Sequence, residues 1–429
     1  MPTSERLYYS DSFLKTFTAS VVDVRELADP NGASIWQLAL DRSAFYPTSG
    51  GQPFDTGLLR VVSPGGAATD VAIEQVEEDE DGRVWHFARQ PLAKGTHVEA
   101  QLEWERRFDH MQQHTGQHLL SAVFSKELQL PTVSFHLGES ASTIDLAGSP
   151  LAQHSLERVE RITNQIIAED SPVTTRYVSR AGAEAMLAAG QLRKLPAREG
   201  TIRLVDIADY DHNPCGGTHV RSTGQIGALL VRRVEKVTRG VRVEFVCGLR
   251  AVRAARIDAA ILSEITALLS TAPEELPATI ARHLGQAKAS ARELQKIREE
   301  LAIFQAAQVV SEVPIENGLR LVVREWKDRD RDYVRLLASR TAAAAASTAV
   351  IFCAKESEPA RVFLARSRDL EFDCGRILRT ALADLGLRGG GSADLAQGDV
   401  PAKQEPSLVA SLTQAILSTS ANPRAPQAE

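Results

Sequence analysis

Six short apolar stretches, in part β-branched, occupy residues 19–25, 34–40, 58–62, 70–76, 83–88 and 98–104, and Gly, Pro, Asp and Asn separate them. Such runs between turn residues predict strands, and a small barrel or sandwich is their natural packing. From residue 104 the pattern changes. A helical run covers 104–128, and a second covers 156–168, with Val159, Ile162, Ile166 and Ile167 at helical spacing. Strands are predicted at 133–137, 142–146, 173–178, 202–207, 228–232 and 241–246. This mixture predicts a two-layer unit with helices on one face of a sheet.

Beyond residue 249 the chain reads as helical. Leu294, Ile297, Leu301 and Phe304 recur at three-four spacing, and so do Leu284, Ala287, Ala291 and Leu294. A helical hairpin packed on a neighbour explains this, and so does a coiled-coil seam that would join two copies as a homodimer through the C-terminal region. A small α/β unit follows, with strands at 319–325, 348–354 and 361–365 and helices at 332–346 and 374–385. A glycine-rich segment at 389–398, a last helix at 407–418 and a frayed tail at 421–429 complete the chain. The fold class is therefore α+β. The expected divisions are a β-rich domain over 1–103, an α/β domain over 104–250, a helical connector over 251–313 and a C-terminal α/β domain over 314–429.

A length of 429 residues agrees with several domains, and 43% hydrophobic with 24% charged residues is ordinary for a soluble globular protein. The formal net charge is −6, so a nucleic-acid partner requires a local basic surface. The most basic stretch is 232–242, with Arg232, Arg233, Lys236, Arg239 and Arg242, either a solvated strand face or a phosphate contact. The cysteines Cys215, Cys247, Cys353 and Cys374 show no disulfide-scaffold spacing, which fits a reducing compartment. With no signal-peptide core at the start and no apolar run of about 18 residues, the expected address is the cytoplasm.

Chemistry concentrates in two motifs. His114 and His118 stand four apart in a helical run, on one face and one turn apart. Cys215 and His219 repeat the spacing on a Gly-Gly loop. Imidazoles with a thiolate suit Zn²⁺. Gly116, between the two histidines, costs a helix about 1 kcal/mol relative to Ala, so it is expected to make room for another backbone or a ligand. His110, one turn earlier, is a rival donor and is read as lying outside the ligand set. The loop at 45–57 carries Thr48, Gly50, Gly51 and Gln52. It is either a simple turn or a wall that presents a hydroxyl, an amide and close backbone N–H groups to a small polar ligand. The glycine-rich segment at 389–398 lacks a Walker lysine, and its remaining reading is a backbone cradle.

Together, HTGQHLL at 114–120, CGGTHV at 215–220 and FYPTSGGQPFDTG at 45–57 resemble the free-standing alanyl-tRNA editing proteins, the AlaX group in its long form. That group is similar to the editing half of alanyl-tRNA synthetase. The resemblance extends to RLYY at 6–9 and SFHLG at 134–138, and GGGSADLAQG at 389–398 is similar to a DHH-associated C-terminal domain. It implies zinc at the positions of His114, His118, Cys215 and His219, with Thr48 reading a serine hydroxyl and Gln52 lining the pocket. It also implies hydrolysis of seryl-tRNA(Ala), and of glycyl-tRNA(Ala). Nothing in the N-terminal part resembles an adenylate-forming domain, so aminoacylation is not expected. The chemistry agrees with such a task. An alanine pocket cannot strongly reject serine, which merely adds a hydroxyl, so a second site must remove the error. A zinc-stabilised tRNA-binding protein without catalysis is the alternative, and a zinc hydrolase of small esters is a third reading.

Overall fold

One seven-stranded sheet dominates the first part of the computed structural model: β1 (Thr16–Ala28), β2 (Ser34–Leu40), β3 (Gly57–Val62), β4 (Ala68–Ile73), β5 (Gln75–Glu78), β6 (Val84–Ala88) and β7 (His97–Leu102). Their spatial order is β4-β3-β7-β1-β2-β6-β5. β1 is long enough to serve two neighbours, pairing with β7 through Thr16–Ser20 and with β2 beyond a register shift at 21–23. The single strand expected at 70–76 is instead two. At Glu74 the backbone N–H turns to Phe87 O, and the chain leaves one edge of the sheet for the other. Because the edge strands are consecutive, the sheet curls around one core containing Leu38, Leu40, Phe45, Leu59, Ile73 and Val76. The structure describes residues 4–28, 34–62, 68–148, 151–192, 194–196, 200–238 and 240–420, so Arg239 and the tail expected at 421–429 lie outside the described residues.

α1 (Trp104–Leu128) follows directly. Next come β8 (Thr132–Leu137), β9 (Ser142–Ala147), α2 (Gln153–Ala168), β10 (Val173–Val178), α3 (Arg180–Ala188), β11 (Ile202–Ile207), β12 (Asp211–Pro214), β13 (Leu229–Val237) and β14 (Gly240–Cys247). These strands form two antiparallel sheets, β8-β9-β14-β13 and β10-β11-β12. Both share a core with the two longer helices, in which Leu119, Leu120 and Phe124 meet Val159 and Ile166, Ile144, Val243 and Phe245, and Val205 and Ile207. α3 and β12 have no counterpart in the sequence reading. α3 starts where the Ser179 hydroxyl accepts from Gly182 N, a local cap. α1 is buried on every side over residues 110–124, although much of it is polar.

The chain divides into two units, Met1–Ile265 and Thr266–Glu429, and α4 (Leu249–Leu269) runs across the division. The second unit contains α5 (Leu276–Glu312), β15 (Arg320–Trp326), α6 (Arg331–Ala344), β16 (Thr348–Ala354), β17 (Ala360–Arg366), α7 (Cys374–Ala383), β18 (Gly389–Gly391), β19 (Leu395–Val400) and α8 (Glu405–Ser420). Its sheet runs β15-β16-β17-β19-β18, with β15 and β16 parallel across the α6 crossover. All seven residues of β16 are buried. Val350 and Phe352 pack with Val334 and Leu337 on one face, while Ile351 and Cys353 pack with Leu378 and Leu412 on the other.

Two expectations change in this unit. α5 packs through Ala302, Ala306 and Val309, whereas Leu294, Ile297 and Phe304 of the expected stripe are 56%, 53% and 70% exposed. Small residues let the helix approach closely, and the larger ones stand outside that contact. The glycine-rich segment, read from the sequence as a backbone cradle, forms a strand pair, β18 with β19. A Cβ at Gly389 or Gly398 would come within 2.3 Å of Leu382 Cδ1, so these glycines admit α7 against the pair. The whole molecule is an α+β protein, and among the described residues no helix is long and apolar enough to cross a membrane.

Candidate metal centre and its cavity

His114 and His118 project from α1, and Cys215 and His219 come from the loop after β12. One donor atom from each lies within 4.8 Å of all the others. Cys215 Sγ stands 3.5 Å from His114 Nε2 and 3.3 Å from His219 Nε2. Zinc bonds of ordinary length set at a tetrahedral angle put sulfur and nitrogen about 3.6 Å apart. These two separations are close to that edge length, so the donor set fits a zinc ion.

Each imidazole is held at its other nitrogen. His114 Nδ1 meets Gln52 Oε1 at 2.9 Å, His219 Nδ1 meets Thr115 Oγ1 at 3.1 Å, and His118 Nδ1 faces Asp211 Oδ2 at 3.4 Å. An Nδ1–H donated outward leaves the neutral imidazole's Nε2 for the centre, as an outer partner does for a metal-bound histidine. The charges agree. Burial opposes ionisation of the Cys215 thiol, but His114 and His219 overcome it and hold its pKa well below the ordinary value. Burial, reinforced by the His114 ring, pushes His219 down to about 3. Burial also works against a proton on His118, yet Asp211 and Cys215 outweigh it and lift that group to about 9. The thiolate and the neutral His219 are in the forms a metal needs, whereas His118 holds a proton that metal binding would release.

The loop carrying the cysteine is fixed from behind. Arg203 Nη1 donates to Cys215 O at 2.6 Å and to Gly217 O at 3.1 Å, and Nε reaches Tyr9 O. Gly217 lies flat on the first ligand, since a Cβ there would be 2.2 Å from His114 Cε1. The space demanded at Gly116 belongs to a side chain, neither backbone nor ligand: an added Cβ would stand 2.3 Å from Cys247 Sγ. His110 is buried next to the centre but outside the four donors.

A cavity of about 780 Å³ adjoins the cluster. His114, His118, Cys215 and Gly217 form one side, Ser49, Gly50 and Gly51 another, and Gln117, Ser121, Thr132 and Phe135 a third. The loop wall is a tight turn. Ser49 and Gln52 exchange backbone hydrogen bonds of 3.1 and 3.0 Å across Gly50 and Gly51, at φ +54° and +84°. Both glycines take the left-handed conformation that a two-residue hairpin turn requires. Asp55 anchors the loop by accepting from Tyr46 N and pairing with Arg107 of α1, both side chains fully buried.

Within this loop the two singled-out residues differ. Thr48 is exposed, its backbone N–H bonded to Val76 O, and it is not among the cavity-lining residues, whereas Ser49 is. Gln52 is fully buried. Its Oε1 takes Thr218 N at 3.0 Å as well as His114, and its Nε2 donates to Thr218 Oγ1 at 2.9 Å. The amide is thus engaged inside the protein and faces a ligand histidine, a different place from a pocket wall. The basic stretch is largely neutralised: Arg232 pairs with Asp258, Arg233 with Glu235 and Arg242 with Asp145.

Fold and site define an α+β protein with four soft donors that could hold a metal ion, beside a cavity of mixed polar and apolar lining. Residues 202–243, which include Cys215 and His219, match the family model for the threonyl and alanyl tRNA synthetase second additional domain, and residues 1–106 match that for class II (A) tRNA synthetases. The alanyl-tRNA editing protein AlaX-L of Pyrococcus horikoshii is 31% identical over 416 residues, 94% of this chain and 96% of that protein. The alanine–tRNA ligase of Pyrococcus abyssi is 30% identical over 93% of this chain, which spans 42% of the ligase. The C-Ala domain of Aquifex aeolicus alanyl-tRNA synthetase aligns with 25% of this chain and 97% of its own at a TM-score of 0.23 and 22% identity, too low to carry an argument. The chain belongs to the AlaX-L family of alanyl-tRNA editing proteins.

Proposed function

We propose that the protein is a cytoplasmic trans-editing hydrolase that deacylates seryl-tRNA(Ala), and glycyl-tRNA(Ala), at a zinc centre held by His114, His118, Cys215 and His219. The observation that carries this reading is the pre-set donor cluster on the wall of a cavity, in a chain whose full-length relative is an alanyl-tRNA editing protein. Zinc bound there supplies a Lewis acid beside the ester. The chain's own residues do the rest. Gln52, Thr115 and Asp211 orient the imidazoles, Arg203 fixes the cysteine loop, and the Gly50–Gly51 turn closes one side of the cavity. We assign residues 1–103 and 104–250 to this site, 251–313 to a connector and 314–429 to a DHH-associated-like domain for tRNA contact.

Single-turnover deacylation of seryl-tRNA(Ala), with and without chelator, tests the reading. Turnover that is lost with the metal supports it, and binding without turnover favours the non-catalytic alternative. Serine recognition is assigned to the loop at Thr48, by the family resemblance. Thr48→Val removes the hydroxyl and keeps the shape, so seryl-tRNA(Ala) deacylation is expected to slow about ten- to a hundredfold. Ser49→Ala is the companion variant, because Ser49 is the hydroxyl of this loop that lines the cavity. If only Ser49→Ala slows the reaction, the reading group moves by one residue.

A further inference from the structure

We infer that Gln117 is a specificity-determining residue whose side-chain carbonyl accepts the hydrogen bond of the serine hydroxyl on the charged tRNA. This deepens the deacylation reading and rests on it. Gln117 immediately precedes His118 on α1, is only 5% exposed, and lines the cavity. Its Nε2 is tied down, donating to Ser121 Oγ at 2.9 Å, and Ser121 Oγ also receives Thr132 Oγ1 at 2.8 Å. Its other end is not: Oε1 is buried with no hydrogen-bond partner. Among the described residues it is the one cavity-lining side chain with a buried, unpaired polar atom. Such an acceptor is costly in a resting protein, which makes a ligand that pairs it the natural remedy.

A carbonyl oxygen only accepts, so the group it reads must donate. An aminoacyl ester in this cavity brings two candidates, the α-ammonium and the serine hydroxyl. The ammonium is a poor fit. The cavity lining contains no carboxylate, it includes Lys194, and its floor is the metal centre, where one thiolate leaves a divalent ion with net positive charge. A buried cation needs an anionic partner, whereas a hydroxyl is satisfied by a neutral carbonyl. The hydroxyl also distinguishes the substrates, because glycyl and alanyl esters would leave Oε1 unpaired. A site that hydrogen-bonds a substrate hydroxyl discriminates against analogues lacking it far better than an apolar pocket does.

The test is the ratio of single-turnover deacylation rates for seryl-tRNA(Ala) and glycyl-tRNA(Ala), measured on one preparation so that partial loss of fold or metal cancels. Gln117→Met keeps the length and removes the acceptor, and the serine-to-glycine ratio is expected to fall about ten- to a hundredfold. Gln117→Glu keeps an acceptor oxygen and is expected to retain the serine preference. An unchanged ratio in Gln117→Met overturns the inference. An equal fall for both substrates leaves the ratio unchanged and overturns it as well. If the wild-type protein deacylates neither substrate, the function proposed above fails, an outcome distinct from either of these.

Discussion

Strand β16 and the 110–124 stretch of helix α1 are both buried without interruption, yet they are made of different material. β16 buries seven residues, and six of them are apolar. α1 buries the whole of 110–124, where His110, Gln112, Gln113, His114, Thr115, Gln117, His118 and Ser121 are all polar. Apolar burial stabilises by roughly 25 cal/mol per Å² and needs no particular partner beyond good packing. Polar burial costs unless each group finds its own partner. In α1 the partners are specific: Gln113 Nε2 donates to Cys247 O and its Oε1 takes Cys247 N, Gln112 Nε2 donates to Gln225 O, and Arg107 grips Asp55. A helix that demands so many matched groups is retained for what it positions. β16 is retained for what it holds together.

The sharpest way to break this contrast is to remove a metal donor. Cys215→Ser should lower zinc affinity ~1,000-fold or more, beyond the 10–100-fold typical of losing an outer partner, and abolish deacylation while the second unit stays folded. Elemental analysis and the deacylation assay read both effects. Phe352→Ala in β16 should do the reverse, costing about 3–5 kcal/mol of stability with the metal retained in the folded protein. If Cys215→Ser keeps its full metal, the cysteine is not a ligand.

A smaller effect is expected from the buried ion pair. Arg107→Met leaves the Asp55 carboxylate without its cation, which should cost about 3–5 kcal/mol in chemical denaturation and loosen the turn at Gly50 and Gly51. Adding Asp55→Leu should recover much of that loss, because the uncompensated charge is gone. A single variant as stable as wild type would show that polar burial in α1 is cheap and would dissolve the contrast with β16.

The smallest effect belongs to the surface. Lys236→Ala should reduce the salt dependence of tRNA binding by about 1 in log–log slope if this lysine meets a phosphate. Arg242→Ala should change it less, because Arg242 already pairs with Asp145 at 2.7 Å. Affinity measured over a salt series separates the two.

What could be read from the sequence follows the range of each interaction. The four-residue spacing of His114 and His118 is local helix geometry, and the Cys215–His219 pair carries its own signature, so both motifs stand out without a fold. Gln52 and Thr115 do not announce their roles, since they meet their histidines across 62 and 104 residues of chain. Gln117 could have been noticed as a polar residue inside the histidine motif, but only the cavity and its unpaired oxygen single it out. The basic run misleads for the same reason, as Asp145 and Asp258 lie far from it in the chain. Strands β4 and β5 merge on paper because hydrophobic character continues through Glu74, while the hydrogen bond to Phe87 that separates them is long-range.

Gly116 and Cys247 work as notch and tooth. One residue of helix is 1.5 Å of travel and a hundred degrees of rotation, so a tooth seated in the notch indexes α1 to a single setting against β14, and with it the direction in which both histidines point. The seat leaves no slack, because even a methyl group at 116 would collide with the sulfur. Bulk at these two positions is therefore a shared allowance that can pass from one to the other but cannot grow. A lineage that enlarged residue 116 would have to shrink residue 247 in step, so the aim of the centre is kept by two residues that are neither donors nor part of the cavity lining.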